Sequence, residues 1–392
     1  MTTAELRTHV TKLSGELLDL SHRIHADPEV RFTEYAASAK LIDFLTGHGF
    51  SVNSGVGGLP TAFRAWRAFG SGGPTIAVFC EYDALPGIGH ACGHNIIAAA
   101  GAGAAVAAAG WLDEHGGNGR IVVLGSPGEE GGGGKVTLVE AGQLADVDAA
   151  VMVHPAGFDA VSRTNLGRVS LEATFTGRAS HAAAAPELGR NALDAATLLL
   201  VAIGLLRQQL RDGSRVHANV VDGGDSINVI PEHARVSLFI RSTDAEYLRG
   251  RLYEAVRDCV AGAALATGTT GSLDEVAIAY EPVRTNPVLA SLAVEAFEAL
   301  GRPIDPVAGT SGPAGSTDMG NVSQVVPAIH PYIRVDPGLA IHTREFAAAA
   351  AGAGGDQAVL DGATMLASVV TALITRPSLV ADARAAFEEG RE

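Results

Sequence analysis

Cysteine, histidine and glutamate residues with the chemistry of metal ligands cluster at a few points of the chain. Cys92 and His94 stand two residues apart, and an extended segment would turn both side chains to the same side. Glu129 and Glu130 are adjacent, and His154 follows an apolar run. A thiolate, imidazoles and carboxylates together suit zinc or a similar divalent ion. These residue types therefore predict a metal site.

The adjacent glutamates are expected to have different chemical roles, because both side chains cannot easily face one ion. One would bind the metal, and its neighbour would take a proton from the water that the ion activates, since coordination lowers the pKa of water towards about 7. The residue types leave open which glutamate does which. Taken singly, each residue also has an ordinary structural role: Cys92 as a small buried apolar residue, the histidines as hydrogen-bonded core groups and the glutamates as a solvated face.

Three short apolar runs lead into these residues and are typical of parallel strands buried on both faces. The runs are 75–80 (TIAVFC), 121–124 (IVVL) and 149–153 (AAVMV). The residues that follow them are, in order, Glu81 and Asp83 with His90, Cys92 and His94; Glu129 and Glu130; and His154. Because the carboxyl ends of parallel strands meet in one crevice, we expect these groups to lie close together.

The hydrophobic pattern divides the chain into two domains. Helices predicted at 96–114 and 136–141 separate the apolar strands, a βαβ rhythm typical of a doubly wound α/β fold. Near residue 167 the pattern changes to strict alternation, which indicates a sheet with one buried face. The predicted fold is α/β: a doubly wound mixed sheet formed by 1–166 and 281–392, with a smaller α+β domain, 167–280, inserted into it.

Composition limits the classes of function. The chain has 392 residues, of which 47% are hydrophobic, and its formal net charge is −15, which disfavours nucleic acid as a partner. Its three cysteines, Cys80, Cys92 and Cys259, do not suggest a disulfide framework. No secretory signal is evident, and the long apolar stretch 96–112 consists mostly of alanine and glycine, so we interpret it as a buried core helix. We expect a soluble cytoplasmic protein without a membrane partner.

Familiar nucleotide and hydrolase motifs are absent from the sequence. The GGGGK run at 131–135 lacks both the first glycine of a phosphate loop and the serine or threonine after the lysine. Neither HExxH nor GxSxG occurs.

Seven blocks in the same order carry a family resemblance. They are CEYDALPGIGHACGHN (80–95), SPGEEGGGGK (126–135), VMVHP (151–155), ASHAAAAPELGRNALDA (179–195), INVIPEHA (227–234), GSTDMGNVS (315–323) and HTREF (342–346). The chain resembles the M20 metallopeptidases, in particular their aminoacylase and amidohydrolase branch, subfamily D. Its EYDALP and EEGGGGK forms are similar to those of the group that contains aminobenzoyl-glutamate hydrolase and peptidase M20 domain-containing protein 2.

The resemblance implies a site for two divalent ions and assigns roles residue by residue. The implied metal ligands are Cys92, His94, Glu130, His154 and His342. Glu129 would be the general base, and Asp83 would orient a ligand. Zinc, manganese and cobalt are the expected metals. Many members of the branch carry aspartate where this chain has Asn95, a departure that removes no ligand.

The inserted domain is implied to be a lid that also dimerises. His181 matches a histidine that reaches the active site of a neighbouring subunit, and Asn228 matches a substrate-contacting position. Arg241, on a predicted strand of the same domain, is a candidate partner for a substrate carboxylate, with surface solvation as the alternative. A homodimer is therefore expected.

The expected function is hydrolysis of the amide bond of an N-acyl amino acid or an aromatic acyl-glutamate by a water that Glu129 activates at the metals. A dipeptidase acting on unusual dipeptides would use the same residues. Hydrolysis directed at an aromatic ring, a closed structural zinc site and a non-catalytic scaffold are the remaining alternatives.

Overall fold

The computed structural model describes residues 2–304 and 315–390 and divides them into two compact units. The first unit contains residues 2–164, 283–304 and 318–390. The second contains residues 165–282 and 315–317. The predicted α/β class with a mixed sheet is confirmed.

The elements are numbered in chain order. The helices are α1 Thr3–Lys12, α2 Ser14–Ala26, α3 Tyr35–Gly47, α4 His94–His115, α5 Gly134–Glu140, α6 Ala192–Leu206, α7 Ala245–Tyr247, α8 Tyr253–Thr267, α9 Pro287–Ala299, α10 Met319–Ser323, α11 Arg344–Ala349, α12 Ala353–Thr375 and α13 Pro377–Glu389. The strands are β1 Ser51–Ser54, β2 Phe63–Phe69, β3 Thr75–Glu81, β4 Gly119–Ser126, β5 Ala149–Val151, β6 His154–Ala156, β7 Gly167–Thr176, β8 Ser180–His181, β9 Arg215–Asp222, β10 Val229–Ile230, β11 His233–Ser242, β12 Thr270–Glu275, β13 Ala328–Ile329 and β14 Tyr332–Arg334.

The first unit is built on a six-stranded sheet in the order β1-β2-β4-β3-β5-β13. Strands β4, β3, β5 and β13 are parallel, and Val78 of β3 lies between Val123 and Val151 of its neighbours. Every residue of β3 is buried, as its continuous apolar run predicts. The antiparallel strands β1 and β2 were not predicted, because the arginines in FRAWRAF interrupt the apolar pattern.

Helices α4 and α12 pack against each other in the core of this unit. Both are long and apolar enough to cross a membrane, but their most apolar windows are 94% and 89% buried within the protein. Small residues allow the close packing of α4, since a Cβ at Gly103 would come within 2.7 Å of Leu17. The predicted buried core helix at 96–112 is therefore confirmed. A third helical stretch of similar length and hydropathy, Ala192–Gln209, is only 28% buried.

The second unit is a four-stranded antiparallel sheet in the order β12-β7-β11-β9. Along β7 and β11, buried residues such as Val169 and Val236 alternate with more exposed ones, as predicted. The buried side chains form a separate hydrophobic core with α6 and α8. The opposite face of the sheet carries polar and charged side chains, including those of Glu172 and Arg235.

Candidate metal centre

The segment that carries Cys92 and His94 is the start of a helix. Gly93 has φ +73° and precedes α4, of which His94 is the first residue. The expectation that Cys92 and His94 lie in an extended segment is therefore wrong. A glycine is required between them, because a Cβ there would lie 2.6 Å from Pro155 in a left-handed backbone. The sharp turn, rather than strand alternation, brings the two side chains together.

Potential ligand atoms from distant parts of the chain lie within 4.8 Å of one another in overlapping groups. The groups around the predicted ligands are Cys92, His94 and His154; Cys92, Glu130 and His342; and His94, Glu129 and Glu130. Cys92 Sγ lies 3.5 Å from His154 Nε2. The structure thus brings together all five residues that the resemblance implies as ligands, and it places Glu129 beside them.

Asp83 holds two parts of the cluster. Its Oδ1 lies 2.9 Å from His94 Nδ1, and its Oδ2 accepts a hydrogen bond of 3.0 Å from the backbone N–H of Glu130. Burial raises the pKa of Asp83, but His94 and these hydrogen bonds outweigh that effect and hold the pKa below its usual value. With Nδ1 directed at Asp83, Nε2 is the nitrogen that His94 offers to an ion.

His342 approaches the cluster from a loop before α11. Its Nε2 lies 3.3 Å from Glu130 Oε1, and its side chain is 51% exposed. His342 has φ +64°, a conformation that side chains other than glycine rarely adopt, and its N–H donates to the carbonyl of Ala91. This hydrogen bond holds the backbone of His342 against the segment that carries Cys92. The exposed side chain of His342 is thereby placed next to Cys92 and Glu130.

Glu129 lies among buried carboxylates. Its carboxylate, that of Glu81 and that of Asp318 offer oxygen atoms within 4.8 Å of one another. Burial, and then the charges of Glu81 and Asp318, raise the pKa of Glu129 well above its usual value. A carboxyl group with a raised pKa has the proton affinity that a general base needs.

The loop that carries the two glutamates is anchored by Glu34. The N–H of Gly128 donates to Glu34 Oε1 over 2.9 Å, and Thr61 Oγ1 donates to Oε2 over 3.0 Å. Glu34 is fully buried, and burial raises its pKa to about 7. Glu34 does not follow an apolar strand in the sequence, so no local pattern indicated that it would contact this loop.

The donor set fits divalent ions. A thiol, imidazoles and carboxylates face one another, and His94 Nε2 makes no hydrogen bond to the described residues. Burial raises the pKa of the Cys92 thiol, so a divalent ion is needed to make it a thiolate at neutral pH. These residues could hold ions of the zinc, manganese or cobalt type.

The second unit contains the other predicted site residues. His181 on β8 and Asn228 are close together, because the N–H of Ala182 donates to the carbonyl of Asn228. Both are exposed, and His181 Nδ1 accepts hydrogen bonds from Ala183 and Ala184. These bonds orient the imidazole.

Arg241 is half-buried on β11, where it lies between Arg168 on β7 and Arg215 on β9 in the strand register. Arg168 and Arg241 form no ion pair with a carboxylate in the part of the chain that the structure describes. Three cations side by side on one sheet face repel one another, so a row of this kind favours an anion.

Sequence reasoning missed the partner of Glu81. Lys135, in the GGGGK run, is fully buried and pairs with both Glu81 and Asp318. The glycine-rich segment around Lys135 suggests only a phosphate loop, which the neighbouring residues exclude. The signal that could have indicated its role was its position five residues after Glu130, in the segment that follows a predicted strand and already carries two glutamates.

Comparison with known proteins identifies a matching domain family and related enzymes. A family model described as a peptidase dimerisation domain matches residues 163–264. An enzyme of Mus musculus named Xaa-Arg dipeptidase is 37% identical over 380 residues, which cover 94% of this chain and 88% of the mouse protein. One of the p-aminobenzoyl-glutamate hydrolase subunits of Escherichia coli is 38% identical over 291 residues, 68% of this chain and 59% of that protein.

The fold is also similar to a solved structure. A dinuclear metal-binding peptidase of the M20 family from Bacillus subtilis superimposes with a TM-score of 0.71 at 20% identity. The match covers 93% of this chain and 99% of the Bacillus chain.

Proposed function

The chain belongs to the M20 metallopeptidase family, whose members act on amide bonds, and we propose that it hydrolyses the amide bond of an N-acyl amino acid or a dipeptide. The observation that carries the proposal is the buried group of Cys92, His94 and His154 next to the adjacent glutamates. A structural zinc site would use up every coordination position and would need no spare carboxylate beside it.

The five implied ligands, Cys92, His94, Glu130, His154 and His342, are proposed to hold two divalent ions. When bound, such ions polarise the amide carbonyl and lower the pKa of water. Zinc, manganese and cobalt are the candidates, because thiolate and imidazole suit zinc and cobalt while carboxylates suit manganese.

Glu129 is proposed as the general base. It accepts a proton from the attacking water and gives it to the departing amine. Its carboxylate lies within the group that contains His94 and Glu130, so it is close to the atoms between which the proton has to move. Asp83 acts through His94, whose ring it orients.

Residues of the second unit are proposed to bind the rest of the substrate. His181 of one subunit would reach the site of another and stabilise the oxyanion, while Asn228 would contact the substrate. The row formed by Arg168, Arg241 and Arg215 supports Arg241 as the partner of a substrate carboxylate.

Two substrate classes remain distinct candidates. The name of the Escherichia coli relative favours an aromatic acyl-glutamate, and that of the mouse relative favours a dipeptide with a carboxyl-terminal arginine. A cavity of about 350 Å³ next to Asn228 supports the second class, because Asp222, Asp225 and Glu232 line it and would attract a cationic side chain.

A homodimer is proposed through helix α6. Leu198, Val201 and Leu205 follow one another at helical spacing and are 37%, 53% and 73% exposed, whereas Leu199 and Ile203 face the core. An apolar stripe of this kind on the surface of one chain suits association with a second copy.

The test is amine release from a panel of dipeptides ending in arginine, N-acyl amino acids and aminobenzoyl-glutamate, after loading with zinc, manganese or cobalt. Turnover of one class that a chelator abolishes and added metal restores is the expected result. A folded, metal-loaded protein that releases no amine from any of them would overturn the proposal.

A further inference from the structure

Lys135 is the single lysine among the fully buried side chains of the described residues, and it lies next to the candidate metal centre. It is the second residue of α5, and its ammonium group contacts Glu81 Oε1 and, at 2.7 Å, Asp318 Oδ1. The backbone N–H of Lys135 donates to the other oxygen of Asp318 over 2.9 Å. Asp318 therefore binds both the side chain and the backbone of one residue, which fixes the position of the ammonium group.

The ammonium group contacts two members of a group of three carboxylates. Glu81, Glu129 and Asp318 offer oxygens within 4.8 Å of one another, a spacing suited to a single cation. All three are buried, and buried carboxylates are strongly unfavourable without a compensating charge. Oxygen-only groups of this kind prefer hard divalent ions such as manganese or magnesium.

Glu81 connects this carboxylate group to the candidate metal ligands. One of its oxygens pairs with Lys135, and the other lies 3.4 Å from His94 Nε2. Glu129 belongs to the same carboxylate group and also to the group with His94 and Glu130. Glu129 could therefore bind a cation held with Glu81 and Asp318 or one held with His94 and Glu130. If the first position is already occupied by a fixed cation, Glu129 remains available at the second.

We propose that Lys135 is a built-in cation of the site: its ammonium group occupies the position among Glu81, Glu129 and Asp318 that a divalent ion would otherwise take. The lysine thereby confines metal ions to the side of Cys92, His94 and His154, and it keeps Glu129 a base rather than a ligand. Lys135 is a positioning residue, because it acts through Glu129 and Glu81. This inference rests on the proposed metal-dependent function.

The decisive variant is Lys135→Met, which keeps much of the side-chain volume and removes the charge. The metal-free variant is loaded with Mn²⁺ by equilibrium dialysis, and bound metal is measured per chain. We expect the unaltered protein to take up two ions and Lys135→Met to take up three. Glu129 would then be drawn towards the additional ion, so kcat should fall by roughly 100-fold with KM little changed, as expected for a misplaced reacting group.

Three further variants separate this role from ordinary stabilisation. Lys135→Arg keeps the charge and should keep two ions. Lys135→Met combined with Asp318→Asn removes one carboxylate of the group and should return the count to two. The matched control is Lys40→Met, which removes a lysine paired with Asp27 at 2.9 Å near the surface and should change neither metal count nor kcat.

Folding is followed by urea denaturation of the metal-free proteins, so that an unstable Lys135→Met variant is still informative. If Lys135 compensates the charge of Asp318, Asp318→Asn should lower the free energy of unfolding less in the Lys135→Met variant than in the unaltered protein. Additive effects of the two substitutions, or two ions and unaltered kcat in Lys135→Met, would overturn the inference. Failure of the unaltered protein to bind metal would instead overturn the proposed function.

Discussion

Asp83 Oδ1 lies 2.9 Å from His94 Nδ1, and both residues are completely buried. The contact selects the tautomer of His94 and fixes its ring, while the second oxygen of Asp83 holds the backbone of Glu130. One carboxylate therefore orients two of the proposed ligands, one on the first turn of α4 and one on the loop after β4.

Removal of this carboxylate should weaken metal binding. Asp83→Ala is expected to lower metal affinity by about 10–100-fold, the usual effect of losing a residue that orients a ligand. Competition with a chromogenic chelator measures the affinity, and Asp27→Ala at the surface is the control. Unaltered affinity in Asp83→Ala would mean that the contact is only structural.

Glu129→Gln should separate catalysis from metal binding. The amide has nearly the shape of the carboxylate but cannot accept the proton, so kcat should fall by at least about 10²–10⁴-fold, the range for loss of a general base. Metal content per chain, measured on the same preparation, should be unchanged because the ligands remain. Turnover near that of the unaltered enzyme would exclude Glu129 as the base.

Asn95→Asp should destabilise the fold. Asn95 Nδ2 donates to Ser21 Oγ and to the carbonyl of Ala350, each over 3.0 Å, and a carboxylate would turn an acceptor towards that carbonyl. We expect the free energy of unfolding to fall by about 1–3 kcal/mol, because a buried carboxylate oxygen would face the carbonyl of Ala350 and only the hydroxyl of Ser21 could donate to it. Urea denaturation measures the loss, and Asn53→Asp on the exposed part of β1 is the control. Equal stability of the two variants would contradict the prediction.

Stability should depend on pH through Glu34. The pKa of this buried carboxyl is about 7 in the folded protein against an ordinary 4.5. Between these values the folded state keeps a proton that the unfolded chain has released, so the contribution of Glu34 to stability falls as pH rises and reaches its minimum above pH 7.

Glu34→Gln removes this titration. The free energy of unfolding of the metal-free variant, relative to that of the metal-free unaltered chain, should be higher at about pH 8 than at about pH 5. Urea denaturation at both pH values measures this change. The surface substitution Glu187→Gln is the control. A constant difference between Glu34→Gln and the unaltered chain across that range would refute the assignment.

The apolar stripe on α6 should control association. Val201→Asp combined with Leu205→Asp places charges on the exposed side of the helix, where no core contact is lost. We expect a shift from dimer to monomer in sedimentation velocity, with unchanged metal content. Leu199→Asp would disturb the core instead and is unsuitable as a test. An assembly state unaffected by the double substitution would place the interface elsewhere.

The sequence alone determined the fold class and the neighbourhood of the site. Continuous apolar runs such as 75–80 identify buried parallel strands, and parallel strands deliver the residues after their carboxyl ends to one crevice. Strict alternation after residue 167 identifies a sheet with one covered face. These inferences succeed because continuous apolar runs, strict alternation and the direction of the chain can all be recognised in short stretches of sequence.

Only the tertiary structure decided how the individual side chains pair. The close approach of Pro155 leaves no room for a side chain at Gly93, and a hydrogen bond to Ala91 holds the backbone of His342. Both contacts join residues that are far apart in sequence. Lys135 has the same appearance in the sequence whether it is solvated or buried. Its pairing with Glu81 and Asp318 arises because the end of β3, the start of α5 and the start of α10 meet. A charge that is buried there is stable only if an opposite charge lies beside it.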